Sequence, residues 1–192
     1  MKSNKAVFAL ALLGASGAAF AHPGHETMSF MAGLSHPPSG ADHLLAMLAV
    51  GLYAGRQQGA ARWALPAGFL SLMVVGALLA QAGVMLPAIE FGIAASVLVL
   101  GLLIAALARL PLAATLPLVG AFALCHGAAH YAERGQAGLL AYGAGFLVAT
   151  AALHGIGFVL ARALPANAAG RWIERAAGGL IAVAGALMLG AA

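Results

Sequence analysis

Charge is what this chain has least of. Only 7% of its 192 residues are Asp, Glu, Lys or Arg, against about 25% in an ordinary soluble domain. Hydrophobic residues make up 63% of it, and the mean hydropathy is +0.99. That balance excludes a water-soluble globular fold, and the apolar runs leave no length over for a separate soluble domain. Cysteine is nearly absent as well. A lone Cys125 excludes an intrachain disulfide and any CxxC metal or redox motif; inside an apolar run it reads as a small buried thiol. The formal charge of +4 would suit nucleic acid, but the basic residues stand singly, with no basic patch or aromatic platform. No nucleic-acid partner is expected. No G-x-x-x-x-G-K-[ST] phosphate loop occurs either, so no ATPase domain is built into the chain.

What is present is a series of long apolar stretches. Lys2 and Lys5, the apolar Ala6 to Leu13 and then Ala19-Phe20-Ala21 form the pattern of a cleavable signal peptide over residues 1–21. Polar and Pro/Gly-rich residues 22–40 read as an exposed N-terminal segment. Residues 41–192 read as a six-helix transmembrane domain. Its apolar runs are Ala41–Ala54, Trp63–Val84, Pro87–Leu107, Leu112–Ala132, Ala137–Leu160 and Ala176–Gly190. Most are near the roughly 20 residues a helix needs to cross a bilayer, and they lack the alternation of barrel strands. The fold class is therefore an all-α membrane protein with six transmembrane helices. Arg56, Arg62, Arg109, Arg162, Arg171 and Arg175 would then fall on one side and Arg134 on the other. The signal peptide is expected to put the mature N-terminus outside the cytoplasmic membrane, the periplasmic side of a bacterial inner membrane, and the arginine asymmetry agrees with that orientation. Abundant small residues, as in Gly51-xxx-Gly55 and Gly92-xxx-Ser96, predict close helix approach.

Against this apolar background two clusters stand out: His36-Pro-Pro-Ser-Gly-Ala-Asp42-His43 and His126-Gly-Ala-Ala-His130-Tyr-Ala-Glu133. Ionisable residues in or beside membrane spans are expensive and point to function. Imidazole and carboxylate together suit borderline divalent metals. On a helix His126, His130 and Glu133 share one face, and two imidazoles one turn apart can chelate one cation. Asp42 can hold a neighbouring imidazole in one tautomer. Pro37 and Pro38 argue against a regular helix through His36, which is expected on a loop capping the first span. In the expected topology Glu90 joins these groups in the outer third of the membrane, so the candidate metal ligands are His36, Asp42, His43, Glu90, His126, His130 and Glu133. His154 lies deeper, as a step towards the other side. His22 and His25, at the start of the mature chain, could collect metal.

These residues resemble the HupE/UreJ family of nickel permeases, which are associated with hydrogenase and urease metal supply. The family's His-x5-Asp-His motif matches at His36, Asp42 and His43. Its second motif, Phe-His-Gly-x-Ala/Val-His-Gly-x-Glu, matches at His126, Gly127, Ala129, His130 and Glu133, with Cys125 in place of Phe and Tyr131 in place of Gly. The similarity extends over essentially the whole chain. It implies inner-membrane uptake of nickel, or of cobalt, by facilitated or potential-driven permeation. The ligand set alone suits Ni2+, Co2+ and Zn2+ equally. The ion would be cargo rather than a permanently bound cofactor, and the expectation is a transporter rather than an enzyme. Two alternatives remain open at this point. One is an intramembrane zinc-dependent hydrolase, although His126-Gly-Ala-Ala-His130 lacks the glutamate of HExxH; the other is a metal sensor or chaperone partner.

Overall fold

The structure is a computed structural model that describes residues 29–191. The expected signal peptide, together with His22 and His25, lies outside the described residues. These contain seven helices and no strand: α1 Ser29–Ser39, α2 Ala41–Gly55, α3 Ala61–Gln81, α4 Ile89–Ala105, α5 Leu112–Glu133, α6 Leu139–Ala163 and α7 Ala168–Leu189. Four of them, α3, α5, α6 and α7, are long and apolar enough to cross a bilayer. At 15 and 17 residues, α2 and α4 are shorter, but each lies against one of the long ones.

Small residues set those pairings. A side chain at Gly51 would meet the backbone of His154, and one at Gly157 the backbone of Leu48, so α2 and α6 touch main chain to main chain. Gly101, Gly178 and Gly185 do the same for α4 and α7. Between α3 and α5 the two helices alternate: Gly68 receives Leu116, Gly120 receives Leu72, and Gly76 lies on the backbone of Leu124. Contacts that climb together in number make α3 and α5 parallel, and likewise α2 and α6. Those of α4 and α7 run oppositely. Lipid offers no hydrophobic drive between helices, so dispersion over such close contacts does the holding.

Two sequence expectations need correction. The loop expected around His36 is instead helix α1, with Pro37 and Pro38 inside it and Pro37 fully buried. Both prolines fall in its last turn, where few later residues depend on the bonds they remove. Gly33 and Gly145 let α1 settle on the first turns of α6. Gly40, in an extended conformation, then breaks the chain, and α2 continues along the lower part of α6. The other correction concerns α7, which starts at Ala168 rather than Ala176. Asn167 caps it by accepting the Gly170 N–H at 3.1 Å. Arg171, Glu174 and Arg175 therefore belong to its first turns. There Glu174 is buried, its Oε2 2.9 Å from Arg56 Nε at the end of α2.

Candidate metal centre

The break at Gly40 places Asp42 and His43 in the first turn of α2, where backbone N–H groups have no helical partner. Asp42 Oδ1 accepts the His43 backbone N–H at 2.8 Å and lies 2.9 Å from His43 Nδ1. A carboxylate can only accept, so the ring proton sits on Nδ1 and the Nε2 lone pair is left free. Nε2 is buried without a hydrogen-bond partner.

His126, fully buried on α5, is set in the opposite sense. Ser96 on α4 gives its one proton to the Ile93 carbonyl at 2.6 Å. Its oxygen, 3.0 Å from His126 Nε2, can then only accept. The proton of His126 is thereby fixed on Nε2, and Nδ1 is left buried and unpartnered. Oxygen acceptors of this kind are what orient and sharpen metal-binding imidazoles. Sequence reasoning missed Ser96, taking it only as a small packing residue. A serine in an apolar run is ordinary, and only its hydrogen bonds mark Ser96 out.

His130 stands one turn beyond His126, and the His43 ring enters between them, with centroids 4.7 Å from His126 and 3.9 Å from His130. One ring nitrogen from each of the three lies within 4.8 Å of the others. His130 also packs on Phe146 of α6, 3.8 Å between centroids. A second group shares His130. His36 Nε2 is 2.9 Å from Glu133 Oε2, and that oxygen is 3.1 Å from His130 Nδ1, too poorly aligned for a hydrogen bond. The His36 and Glu133 side chains are 33% and 42% exposed, against 4% for His130. The two groups therefore grade in exposure, from a part-exposed His/carboxylate pair to three buried imidazoles.

Six of the seven expected ligands are thus brought together, His36 from a helix rather than a loop. Asp42 acts through His43. Glu90 is exposed in the first turn of α4, and among the described residues no hydrogen bond or ion pair joins it to the cluster. His154, buried on α6, sits apart with the Phe69 ring between: centroids are 5.5 Å from Phe69 to His126 and 5.3 Å from Phe69 to His154. An apolar cavity of about 250 Å³ between α3, α5 and α6 also reaches His130, lined by Met73, Leu78, Tyr142 and Phe146 among others. Its walls suit hydrocarbon rather than a cation.

Unpartnered buried nitrogens cost about 1–3 kcal/mol each. Here they cluster at His43, His126, His130 and His154, the arrangement expected of groups kept free for a ligand.

Comparison with known proteins identifies the family. Residues 10–188 match the family model described as HupE / UreJ protein. Protein HupE of Rhizobium leguminosarum bv. viciae is 42% identical over 190 residues, covering 98% of this chain and 99% of that protein. No solved structure matches. With the family pattern, the helical membrane architecture and the length of the match in agreement, the chain belongs to the HupE/UreJ family.

Proposed function

We propose that this protein is an inner-membrane permease for a divalent transition-metal cation, nickel in first place, supporting hydrogenase or urease maturation. The observation that carries the reading is the set of three buried imidazoles, His43, His126 and His130. His43 and His126 have their protons held away by Asp42 and Ser96, and all three have a nitrogen within 4.8 Å of the others. Such a set prefers a borderline cation over Mg2+ or Ca2+.

In this reading six crossings follow a cleaved signal peptide over residues 1–21, with α1 and α2 together making the first. The histidine end faces the periplasm and the arginine end the cytoplasm. His36 and Glu133 receive the ion, with Glu90 near the same face adding negative charge. The imidazoles then replace part of its hydration shell. A conducting site must also release, and the shared His130 lets the ion shift from the outer group to the inner without ever being unliganded. A divalent ion moving inward gains about 4.6 kcal/mol at roughly 100 mV, so facilitated diffusion suffices. His22 and His25 could collect metal ahead of this path.

The test is uptake of radioactive nickel by metal-starved cells expressing the chain, with cobalt and zinc as competitors. His130→Ala and Asp42→Asn are expected to abolish uptake at equal membrane abundance. Wild-type flux in the double variant would remove the site from the pathway. Zinc-dependent hydrolysis without flux would replace transport with the enzyme reading.

A further inference from the structure

Hydroxyl groups inside helices normally return their proton to a carbonyl on their own helix. Ser35 bonds to Ala32, Ser39 to His36, Ser71 to Ala67, Ser96 to Ile93 and Thr115 to Pro111. Thr150 breaks the habit. It is fully buried, and its Oγ1 has no hydrogen-bond partner.

Its place on α6 gives that exception a meaning. Phe146, Thr150 and His154 follow one another at steps of four, on one face of the helix. The first packs its ring on His130 and the last lies against Phe69. Thr150 therefore belongs to the face turned towards the histidines, about 6 Å along the axis from His154. Both ring nitrogens of His154 are also buried without partners. A neutral imidazole has one donor and one acceptor, so two neighbouring side chains leave three polar atoms unsatisfied. Valine in place of Thr150 would fill the same space without that penalty.

We propose that Thr150 Oγ1 and His154 form a second, inner stage for the transported cation, with His154 across the Phe69 ring from His126. The inference rests on the transport reading above. One hydroxyl oxygen and one imidazole nitrogen hold an ion that still carries water. With no carboxylate on this face of α6, the stage binds more weakly than the three-imidazole group. That difference favours onward release rather than storage.

The experiment uses the full chain in proteoliposomes with an imposed inside-negative potential and radioactive Ni2+, comparing wild type, Thr150→Val and Thr150→Ser. Thermal unfolding and Ni2+ titration in detergent accompany the flux measurements. Thr150→Val is expected to cut the maximal flux at least tenfold. It should raise the unfolding temperature, and leave Ni2+ affinity at the three-imidazole group within twofold. Thr150→Ser should keep at least half of the flux. Full flux in Thr150→Val overturns the inner stage and leaves the transport reading standing; so does equal loss in a folded Thr150→Ser. A wild type that binds Ni2+ without conducting overturns both.

Discussion

At the scale of single residues, the site depends as much on what holds the imidazoles as on the imidazoles themselves. Asp42 and Ser96 each take one ring proton, and so decide which nitrogen of His43 and His126 is left free for the proposed ion. Removing such a partner typically costs about 10–100-fold in metal affinity. Ser96→Ala should therefore weaken Ni2+ binding about tenfold, read by titration calorimetry in detergent, while the protein stays folded. Unchanged affinity would mean that Ser96 only fills space. The clustering of histidines and carboxylates was legible in the sequence because both stand out against an otherwise apolar chain. Ser96 and Thr150 were not, since a serine or threonine in an apolar run is ordinary and only its hydrogen bonding sets it apart. Phe69 went unread for the same reason: its importance is a position between two rings.

At the scale of helices, small residues convert sequence into distance. A Cβ on Gly127 would meet the Met73 carbonyl of α3, next to His126. Gly127→Ala should push α3 and α5 apart and destabilise the protein by about 1–3 kcal/mol, seen as a lower unfolding temperature and a smaller Ni2+ capacity. An unfolding temperature equal to wild type would show that the contact relaxes freely. The long helices were legible from hydropathy, and the sequence boundaries of α3 and α5 differ little from the observed ones. Two elements were not. The prolines of α1 obscured it, because a local rule about Pro37 and Pro38 is outweighed by the packing of Gly33 on Tyr142. The charged start of α7 hid it from a hydropathy reading, and only the Asn167 cap marked its true beginning.

At the scale of the whole molecule, the charges divide the bundle into two ends. Tyr131, Glu133 and Arg134 lie at one, with the Arg134 guanidinium over the Tyr131 ring at 4.6 Å; Arg56 and Glu174 pair at the other. The proposed orientation predicts opposite labelling at the two. In a Cys125→Ser background, Gly135→Cys should react with a membrane-impermeant maleimide added to intact cells opened at the outer membrane. Gln58→Cys should react only after the inner membrane is broken. The reverse pattern would invert the direction in which the proposed path is travelled. The sequence made this division visible through its arginines, whereas the Arg56–Glu174 pair needed the fold, its partners being 118 positions apart by their numbers.

Distance along the chain also governs when the entrance can exist. His36 and Glu133 are separated by 97 positions, and a bacterial ribosome adds about 5–20 residues per second. For several seconds of each molecule's synthesis, His36 and His43 have been made while His126, His130 and Glu133 have not. A half-finished chain thus offers no assembled cage in which a passing ion could lodge and lock the early helices in a wrong arrangement. On the proposed reading, metal affinity arrives late in biogenesis, only after α5 has joined the segments it must meet.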